Sequence, residues 1–320
     1  MGTNIPRAVA VGDSVERALS FGAAVKIPFK VVDETGNPVS GAKISVGLFL
    51  WTDERNSAKG MTDQDGIFTV KGKATDEVSY FITKEGYYYT NGKYHLSQQP
   101  GANVKNGKWM PYGKERQVVL KRKVNPIPMS AVDKTYYLPK LKQPFGFDAL
   151  EMDWVEPVGK GKHVDILVTF DGDGSEEHDR PAAFQLAWAD KDCGFYEADP
   201  SDSELASPHH ADTNQSFRAS VSLVSTRDFK FGGWIDPMAG KCIVFRIRPR
   251  YSPDGVLIAV RYGKIYGPIN HHYTDRNGAA AGFDFRLYAN PTENDTNLEF
   301  LPYHSLNYPN ERSKQPNIAP

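Results

Sequence analysis

Apolar residues alternate with polar or small ones along much of this chain, and turn sequences rich in glycine and proline separate the alternating runs. Val25, Ile27 and Phe29 form one such run. Turns are written at Gly36-Asn37-Pro38 and at Asp65-Gly66. A period of two places one set of side chains on a common face of a β-strand. The first part of the chain is therefore predicted to be a small all-β domain.

The second part alternates even more clearly. Phe184, Leu186 and Trp188 share one face of a predicted strand. A later strand divides its two faces as follows: Ile243, Phe245 and Ile247 on one side, and Cys242, Arg246 and Arg248 on the other. No long window shows an apolar period of 3.6 residues, so helices are not expected between these strands. The pattern predicts an antiparallel sandwich similar to a jelly roll.

Two prolines in Asn125-Pro126-Ile127-Pro128 mark the domain boundary, because they hold the backbone extended and remove two hydrogen-bond donors. We expect an all-β protein with two antiparallel β-sandwich domains, a small one followed by a larger one. The predicted divisions are a lead-in at 1–22, a small sandwich at 23–123, a larger sandwich at 124–289 and an extended polar tail at 290–320.

Charge and hydropathy exclude several classes of function. The chain has 38 basic and 39 acidic residues and a net charge of -1, so no overall field attracts nucleic acid. No stretch approaches the roughly 20 apolar residues that span a bilayer. Asp13, Glu16 and Arg17 stand where a signal peptide would have its apolar core. We expect no nucleic-acid partner and no membrane span.

Local signatures of catalysis are missing. The sequence contains neither a G-x-S-x-G motif nor a glycine-rich phosphate loop. A pair of carboxylates brought together by the fold, such as Asp148 with Glu151 or Asp153, would leave no local trace. Cys193 and Cys242 are equally compatible with one disulfide and with two buried thiols. The chain is therefore expected not to be an enzyme and to need no cofactor.

The strongest metal candidate is an acidic loop after the strand that ends at Phe170. Ca²⁺ binds six to eight oxygen ligands, and alternating acids separated by glycine can supply several of them. The loop offers Asp171, Asp173, Glu176 and Glu177 as ligands. Aspartate and glycine also favour simple solvated turns, which is the alternative interpretation. A Ca²⁺ ion is thus the one cofactor that the sequence suggests.

Aromatic residues in a long polar loop, from Thr90 to Lys114, are candidates for ligand binding. Trp109 and Tyr112 lie in this loop. Exposed rings can stack on sugars or pack against a partner protein. Packing within the domain is the alternative for both residues.

The last segment, from Asn290 to Pro320, is polar, rich in proline and almost without periodicity. It has too few apolar residues to form a core of its own. Extended segments often bind along the exposed edge of another sheet. We therefore expect it to lie along a neighbouring subunit, anchored by Leu298, Phe300, Leu301, Tyr303, Leu306 and Tyr308.

Three turn motifs carry a resemblance to a known family. They are Val32-Asp33 through Ala42, Thr62 through Phe68, and Lys84-Glu85-Gly86-Tyr87. In order and spacing they resemble the carboxypeptidase-regulatory-like family over residues 24–121. The resemblance implies an Ig-like or transthyretin-like sandwich without catalytic residues, of the kind found as accessory domains in secreted or surface-anchored bacterial proteins. The remainder resembles only uncharacterised bacterial exported proteins.

These observations together predict a non-catalytic structural subunit of an extracellular or cell-surface assembly, from which a leader peptide has been removed. Self-association or binding to other proteins would follow. One alternative is a carbohydrate-binding surface protein that uses its loop aromatics on a glycan. Another is a polysaccharide-active enzyme with an accessory domain.

Overall fold

A computed structural model describes residues 11–51, 56–171, 182–199, 203, 205–228, 233–235, 241–267, 271–273 and 281–316 of the protein. The chain divides into two compact units, each with its own core. Unit 1 comprises Met1–Arg122 with Asp202–Glu204, and unit 2 comprises Lys123–Ser201 with Leu205–Pro320.

The described part of unit 1 begins with a helix, α1 (Val11–Phe21), and continues in strands. The described strands are β1 (Ala23–Asp33), β2 (Lys43–Leu48), β3 (Ser57–Met61), β4 (Ile67–Ala74), β5 (Glu77–Thr83), β6 (Thr90–His95), β7 (Asn103–Lys105), β8 (Lys108–Met110) and β9 (Arg116–Leu120).

Two sheets form the sandwich of unit 1. One has the order β4-β1-β8-β7, with β9 also paired to β1, and the other has the order β3-β2-β5-β6. The alternation along β1 buries Val25, Ile27 and Phe29 against β2 and β5, whose Val46 and Tyr80 are also fully buried. The residues that alternate in the sequence are thus the ones that build this core.

Asp33 fixes the turn after β1. Its carboxylate accepts hydrogen bonds from Thr35 and from the backbone N–H of Asn37, and Arg122 donates to its second oxygen at 2.6 Å. Burial opposes ionisation of this carboxyl group, but these hydrogen bonds outweigh it, so the pKa of Asp33 lies well below its usual range. The turn therefore depends on a charged side chain that is almost completely buried.

Unit 2 is also built mainly of strands. Those described are β10 (Ile127–Leu138), β11 (Phe145–Asp148), β12 (Asp153–Trp154), β13 (Ile166–Asp171), β14 (Ala182–Trp188), β15 (Gly194–Glu197), β16 (Ser220–Asp228), β17 (Gly233–Ile235), β18 (Cys242–Tyr251), β19 (Leu257–Tyr266), β20 (His271–Tyr273), β21 (Ala281–Ala289) and β22 (Phe300–Ser305).

Unit 2 is also a sandwich of two sheets. One has the order β15-β18-β19-β21-β10-β22, with β20 paired to β21, and the other has the order β12-β11-β13-β14-β16-β17. Apolar side chains from both sheets meet in a core that includes Phe147, Phe170, Phe245 and Phe283. Trp154 packs edge-on against Phe147 at 5.5 Å between ring centroids. Such aromatic pairs add to the stability that burial alone provides.

The C-terminal segment belongs to unit 2, and its binding to a neighbouring subunit stays a prediction. Strand β22 pairs in parallel with β10 of the same chain. Leu298 and Phe300 are fully buried in a second core, together with Met129 and Tyr288 on the outer face of the β10 sheet. Two predicted anchors are therefore already used inside the chain. The other four are placed as follows: Leu301 and Tyr308 are partly buried, and Tyr303 and Leu306 are exposed.

The structure confirms the predicted all-β sandwich class, since 53% of it is strand and 6% is helix. The segment that was expected to be one long polar loop is partly strand. The segment from Thr90 to Lys114 contains β6, β7 and β8, because short alternations there pair with β1 and β5. Among the described residues, no helix is long and apolar enough to cross a membrane.

Candidate functional site: a polar cleft in unit 2

A buried ion cluster joins the two sheets of unit 2 at one end. Asp148 is the last residue of β11, and Asp165 immediately precedes β13. Arg248, from β18 in the opposite sheet, donates to Asp165 through Nε at 3.0 Å and through Nη2 at 3.1 Å. The same Nη2 contacts Asp148 Oδ1. One guanidinium group thus holds two buried carboxylates, which is the bidentate use to which arginine is suited.

A β-bulge directs Arg248 into this cluster. Along β18 the register with β19 shifts between Ile247 and Arg250, and Arg248 has a φ of 53°. The next residue, Pro249, has no N–H to donate. By simple alternation Arg248 would share a face with Arg246, as the sequence predicted. The extra residue of the bulge changes that direction, and Arg248 reaches the sheet that contains β11 and β13.

Backbone groups complete the binding of Asp148. Its Oδ1 accepts hydrogen bonds from the N–H groups of Leu150 and Glu151, and its Oδ2 from those of Lys162 and His163, at 3.0 to 3.1 Å. The loop can approach this closely because residue 161 is glycine. A Cβ atom on Gly161 would lie 2.6 Å from the Cβ of Asp148.

The surroundings of Asp148 and Asp165 shift their pKa values in opposite directions. Burial tends to raise the pKa of Asp148, but the backbone N–H groups and Arg248 outweigh burial, so the pKa is lowered. The carboxylate of Asp165 accepts a backbone hydrogen bond from Ala149, and here burial dominates and raises the pKa. The pKa of Arg248 is raised, because the attraction of both carboxylates exceeds the effect of its own burial.

His163 stands beside the cluster and is held by a second carboxylate. Its Nε2 lies 3.1 Å from Asp190 Oδ2, in a hydrogen bond that the ring donates, and 3.6 Å from Asp165 Oδ1. The side chain is 45% exposed. A carboxylate that orients an accessible imidazole is an arrangement used in general acid–base catalysis.

These side chains line a cleft of about 540 Å³. Arg248 and the His163–Asp190 pair form one part of its wall. The remaining wall comes from β18, β19 and two loops, namely Lys191, Pro249, Arg250, Tyr251, Arg261 and Glu293. Four of the lining side chains are lysine or arginine, and two are acidic. Arg248 is already paired with Asp148 and Asp165, so the positive charge offered to the cleft comes from Lys191, Arg250 and Arg261.

Glu293 arranges two of the arginines. It accepts a hydrogen bond from Arg250 at 2.6 Å and another from Arg261 at 3.3 Å. Hydrogen bonding from Arg250 lowers the pKa of Glu293. Each guanidinium group has five N–H donors, so both retain donors for a bound molecule. On the other wall, Tyr251 donates to the carbonyl of Lys191 at 3.0 Å.

The predicted calcium loop is described in part. Asp171 is 54% exposed, and its nearest described cation is Lys142 at 3.9 Å. Asp173, Glu176 and Glu177 lie outside the described residues. Within the part of the chain that the structure describes, no three His, Cys, Asp or Glu side chains are grouped so that they could hold a metal ion.

The two aromatic residues predicted to bind a ligand, Trp109 and Tyr112, differ in their exposure. Trp109 lies in β8, is only 3% exposed, and donates its indole N–H to Ala74 O at 2.9 Å. It is therefore not the exposed loop aromatic that the sequence suggested. Tyr112 is exposed, and the Nζ of Lys108 lies 5.0 Å from its ring centroid. The structure does not bring the two rings to one surface.

Sequence reasoning missed the polar cleft because its residues come from distant segments. For Asp148 the sequence suggests only its neighbours Glu151 and Asp153 as carboxylate partners. Its partner is Asp165, reached through Arg248. One signal was available: Arg246, Arg248 and Arg250 are spaced along a strand that is otherwise strongly apolar.

Comparisons with known proteins identify no relative by sequence. No family model and no curated protein matches the chain. Solved structures with partial similarity include 3-chlorocatechol 1,2-dioxygenase from Rhodococcus opacus 1CP, at 15% identity over 32% of this chain and 62% of that one, with a TM-score of 0.26. Chlorocatechol 1,2-dioxygenase from Pseudomonas putida has 16% identity over 32% and 61%, again with a TM-score of 0.26. Hydroxyquinol 1,2-dioxygenase from Pseudomonas putida DLL-E4 has 16% identity over 32% and 57%, with a TM-score of 0.25.

The match spans less than two thirds of each of these structures. These three neighbours are enzymes, in contrast to the predictions of a non-catalytic structural subunit and of a chain that is not an enzyme, and neither prediction is carried further. The cofactor prediction, none or Ca²⁺, is not carried further either. At TM-scores near 0.26 the substrates and chemistry of these enzymes do not extend to this chain.

Proposed function

We propose that the cleft of unit 2 is an active site that hydrolyses a small ester bearing a carboxylate or phosphate group. The observation that carries the proposal is the position of His163. Its imidazole is oriented by Asp190 and opens onto a cleft with more positive than negative side chains. A positioned base and an anion-binding wall are two of the parts that such a reaction needs.

In this proposal the cations bind the anionic group of the substrate. Lys191 and Arg250 are exposed at the cleft, and Arg261 is partly exposed. The imidazole of His163 takes a proton from a water molecule, which attacks the ester carbon or phosphorus. Asp190 then stabilises the imidazolium, and the same proton passes to the leaving oxygen. Arg248 positions the neighbouring groups and is not assigned contact with the substrate.

Hydrolysis of two matched esters tests the proposal. p-Nitrophenyl hemisuccinate carries a carboxylate, whereas p-nitrophenyl acetate is neutral. We expect the protein to favour the hemisuccinate in kcat/KM, with inorganic phosphate as a competitive inhibitor. His163→Gln should lower kcat by at least about 100-fold, which is the lower range for loss of a general base. Arg250→Gln should mainly raise KM.

Lys241→Gln is the control, because Lys241 pairs with Glu197 and does not line the cleft. It should leave both kinetic constants unchanged. Equal rates for wild type and His163→Gln, with both proteins folded by circular dichroism, would exclude the proposed base. Equal use of the two esters would exclude the anion-binding role of the cleft.

The location of the protein remains a separate proposal. The resemblance of residues 24–121 to carboxypeptidase-regulatory-like domains supports an extracellular or cell-surface enzyme with unit 1 as its accessory domain. Self-association stays a prediction. Leu298 and Phe300 are not counted among its anchors, because both are buried within the chain. Light scattering on the purified protein measures its mass directly.

A further inference from the structure

Unit 1 contains a cavity at the point where β1 changes its partner. Along one edge, Ala24 pairs with Lys108 of β8, and from Phe29 onward the partner is β9. The connection between β8 and β9 arches away from the edge and returns through Gly113, whose N–H donates to Lys26 O at 2.9 Å. A cavity of about 280 Å³ lies between this connection and the strand.

The inner lining of this cavity is apolar and partly aromatic. Leu96, Trp109 and the side of Tyr94 contribute to it, with Met110 and Pro111 from the arching connection. Because the indole N–H of Trp109 is used by a carbonyl, its ring contributes carbon surface to the lining. Such a surface suits a flat apolar group better than a polar one.

The outer lining is positively charged. Lys26, Lys114 and Arg116 line the cavity, against one acidic residue, Glu115. Lys26 and Lys114 are exposed, and the guanidinium carbon of Arg116 lies 5.0 Å from the ring centroid of Tyr94. Cations beside an apolar pocket attract molecules that combine an apolar body with a negative group.

We propose that this cavity binds a small organic anion with a flat apolar body and one carboxylate. The body lies against Trp109 and Leu96, and the carboxylate faces Lys26 and Lys114. All of these residues belong to unit 1, so the site is independent of the cleft in unit 2. It gives unit 1 a binding function of its own.

A matched pair of probes tests the site. Naphthalene-2-carboxylate and naphthalen-2-ylmethanol share the same ring system and differ in charge. With ¹⁵N-tryptophan labelling, Trp109→Phe assigns the indole resonance of Trp109. We expect the carboxylate to shift that resonance saturably and to bind at least about fivefold more tightly than the alcohol. If Trp109→Phe does not fold, titration calorimetry compares the affinities of the two probes instead, with Leu96→Met as the variant of the cavity lining.

The variant Lys26→Gln/Lys114→Gln should lower the affinity for the carboxylate about fivefold and leave the affinity for the alcohol unchanged, as expected for exposed charge contacts. Lys105→Gln is the matched control, since Lys105 is exposed in β7 and does not line the cavity. Equal affinities for the two probes, an unshifted Trp109 resonance, or an equal loss in the control would overturn the proposal.

Discussion

At the scale of single residues, Arg248 shows how ion pairing stabilises a backbone conformation that would otherwise be unfavourable. A left-handed conformation costs a non-glycine residue about 1–2 kcal/mol. Arg248 adopts it with a φ of 53°, and in that position its guanidinium group reaches Asp148 and Asp165. Without this cation the two carboxylates would face each other away from water. The ion pairs therefore offset the strain of the bulge.

Removing the Arg248 side chain should be strongly destabilising. We expect Arg248→Ala to lower the free energy of unfolding by about 3–5 kcal/mol, because it leaves buried charges without a partner. Arg248→Gly should be about 1 kcal/mol more stable than the alanine variant, since glycine adopts the left-handed conformation freely. Urea denaturation measures both. Arg250→Ala, at a side chain that is 60% exposed, is the control and should cost under about 1 kcal/mol. A loss as small as that for Arg248→Ala would contradict the role of the cluster.

Asp33 should make unit 1 sensitive to acid. Its folded pKa is lowered, so its contribution to stability is complete above the unfolded pKa of about 3.9 and is lost as pH falls toward the folded value. We expect Asp33→Asn to cost about 1–3 kcal/mol at pH 7, from the lost charged hydrogen bonds. The difference from wild type should stay constant above about pH 5 and shrink below pH 4. Urea denaturation between pH 3 and 8 measures it. A difference that grows in acid would have the wrong sign.

At the scale of elements, two glycines allow the cost of a left-handed backbone conformation to be distinguished from the cost of a steric clash. Gly36 and Gly66 both have positive φ, at 83° and 74°. A Cβ on Gly36 would meet nothing within 4 Å, whereas one on Gly66 would lie 2.4 Å from the carbonyl oxygen of Val31. We expect Gly36→Ala to cost about 1 kcal/mol and Gly66→Ala to cost clearly more. Thermal unfolding compares the two. Similar losses would show that the turn moves away from β1 without penalty.

Strand β22 is a structural part of unit 2. Phe300→Ala should lower the free energy of unfolding by about 3–5 kcal/mol, because Phe300 is fully buried beside Tyr288. Leu306→Ala, at a residue that is 52% exposed, should change it by less than about 0.5 kcal/mol. The mass in solution should be the same for wild type and both variants. If Phe300→Ala stays fully stable but loses mass, Phe300 would instead be an anchor on a neighbouring subunit.

The strands that could be predicted are those whose alternation is complete. Val25, Ile27 and Phe29 are buried as expected, because a period of two leaves one orientation once a sheet has an inner face. Strand β22 could not be predicted, since its parallel partner β10 lies over 160 residues earlier in the chain. Nor could Arg248, because a single extra residue in a bulge reverses a face without changing composition.

At the scale of the whole molecule, the polar cleft assembles residues from His163 to Glu293 that no short motif contains. The sequence predicts the sheets that carry them, since periodicity is a local property. It does not predict which strand ends meet, because pairing across a sandwich is decided by topology. The acidic loop at Asp171 can be recognised from its local pattern, whereas the ion cluster around Asp165 has no such pattern.

The buried thiols should report on opening of unit 2. Cys193 and Cys242 are both buried and are not joined by a disulfide. Burial, with the nearby charges of Asp190 and Asp165, raises the pKa of Cys193 to about 12, so its reactive thiolate is scarce at neutral pH. We expect a thiol reagent such as DTNB to react only as denaturant unfolds the protein, and reductant to leave the melting temperature unchanged. Rapid reaction of either thiol in buffer would contradict this.

The ion cluster also separates what can vary in the cleft from what cannot. Arg248 is at once part of the cleft wall and the link between two sheets, so most replacements there should be lost to misfolding before selectivity is altered. Lys191 and Arg250 carry no such duty and can be exchanged for other side chains in a folded protein. A library randomised at these two positions should therefore yield many folded variants with changed preference for charge. For protein engineering, Arg248 is a residue to keep, whereas Lys191 and Arg250 are positions to vary.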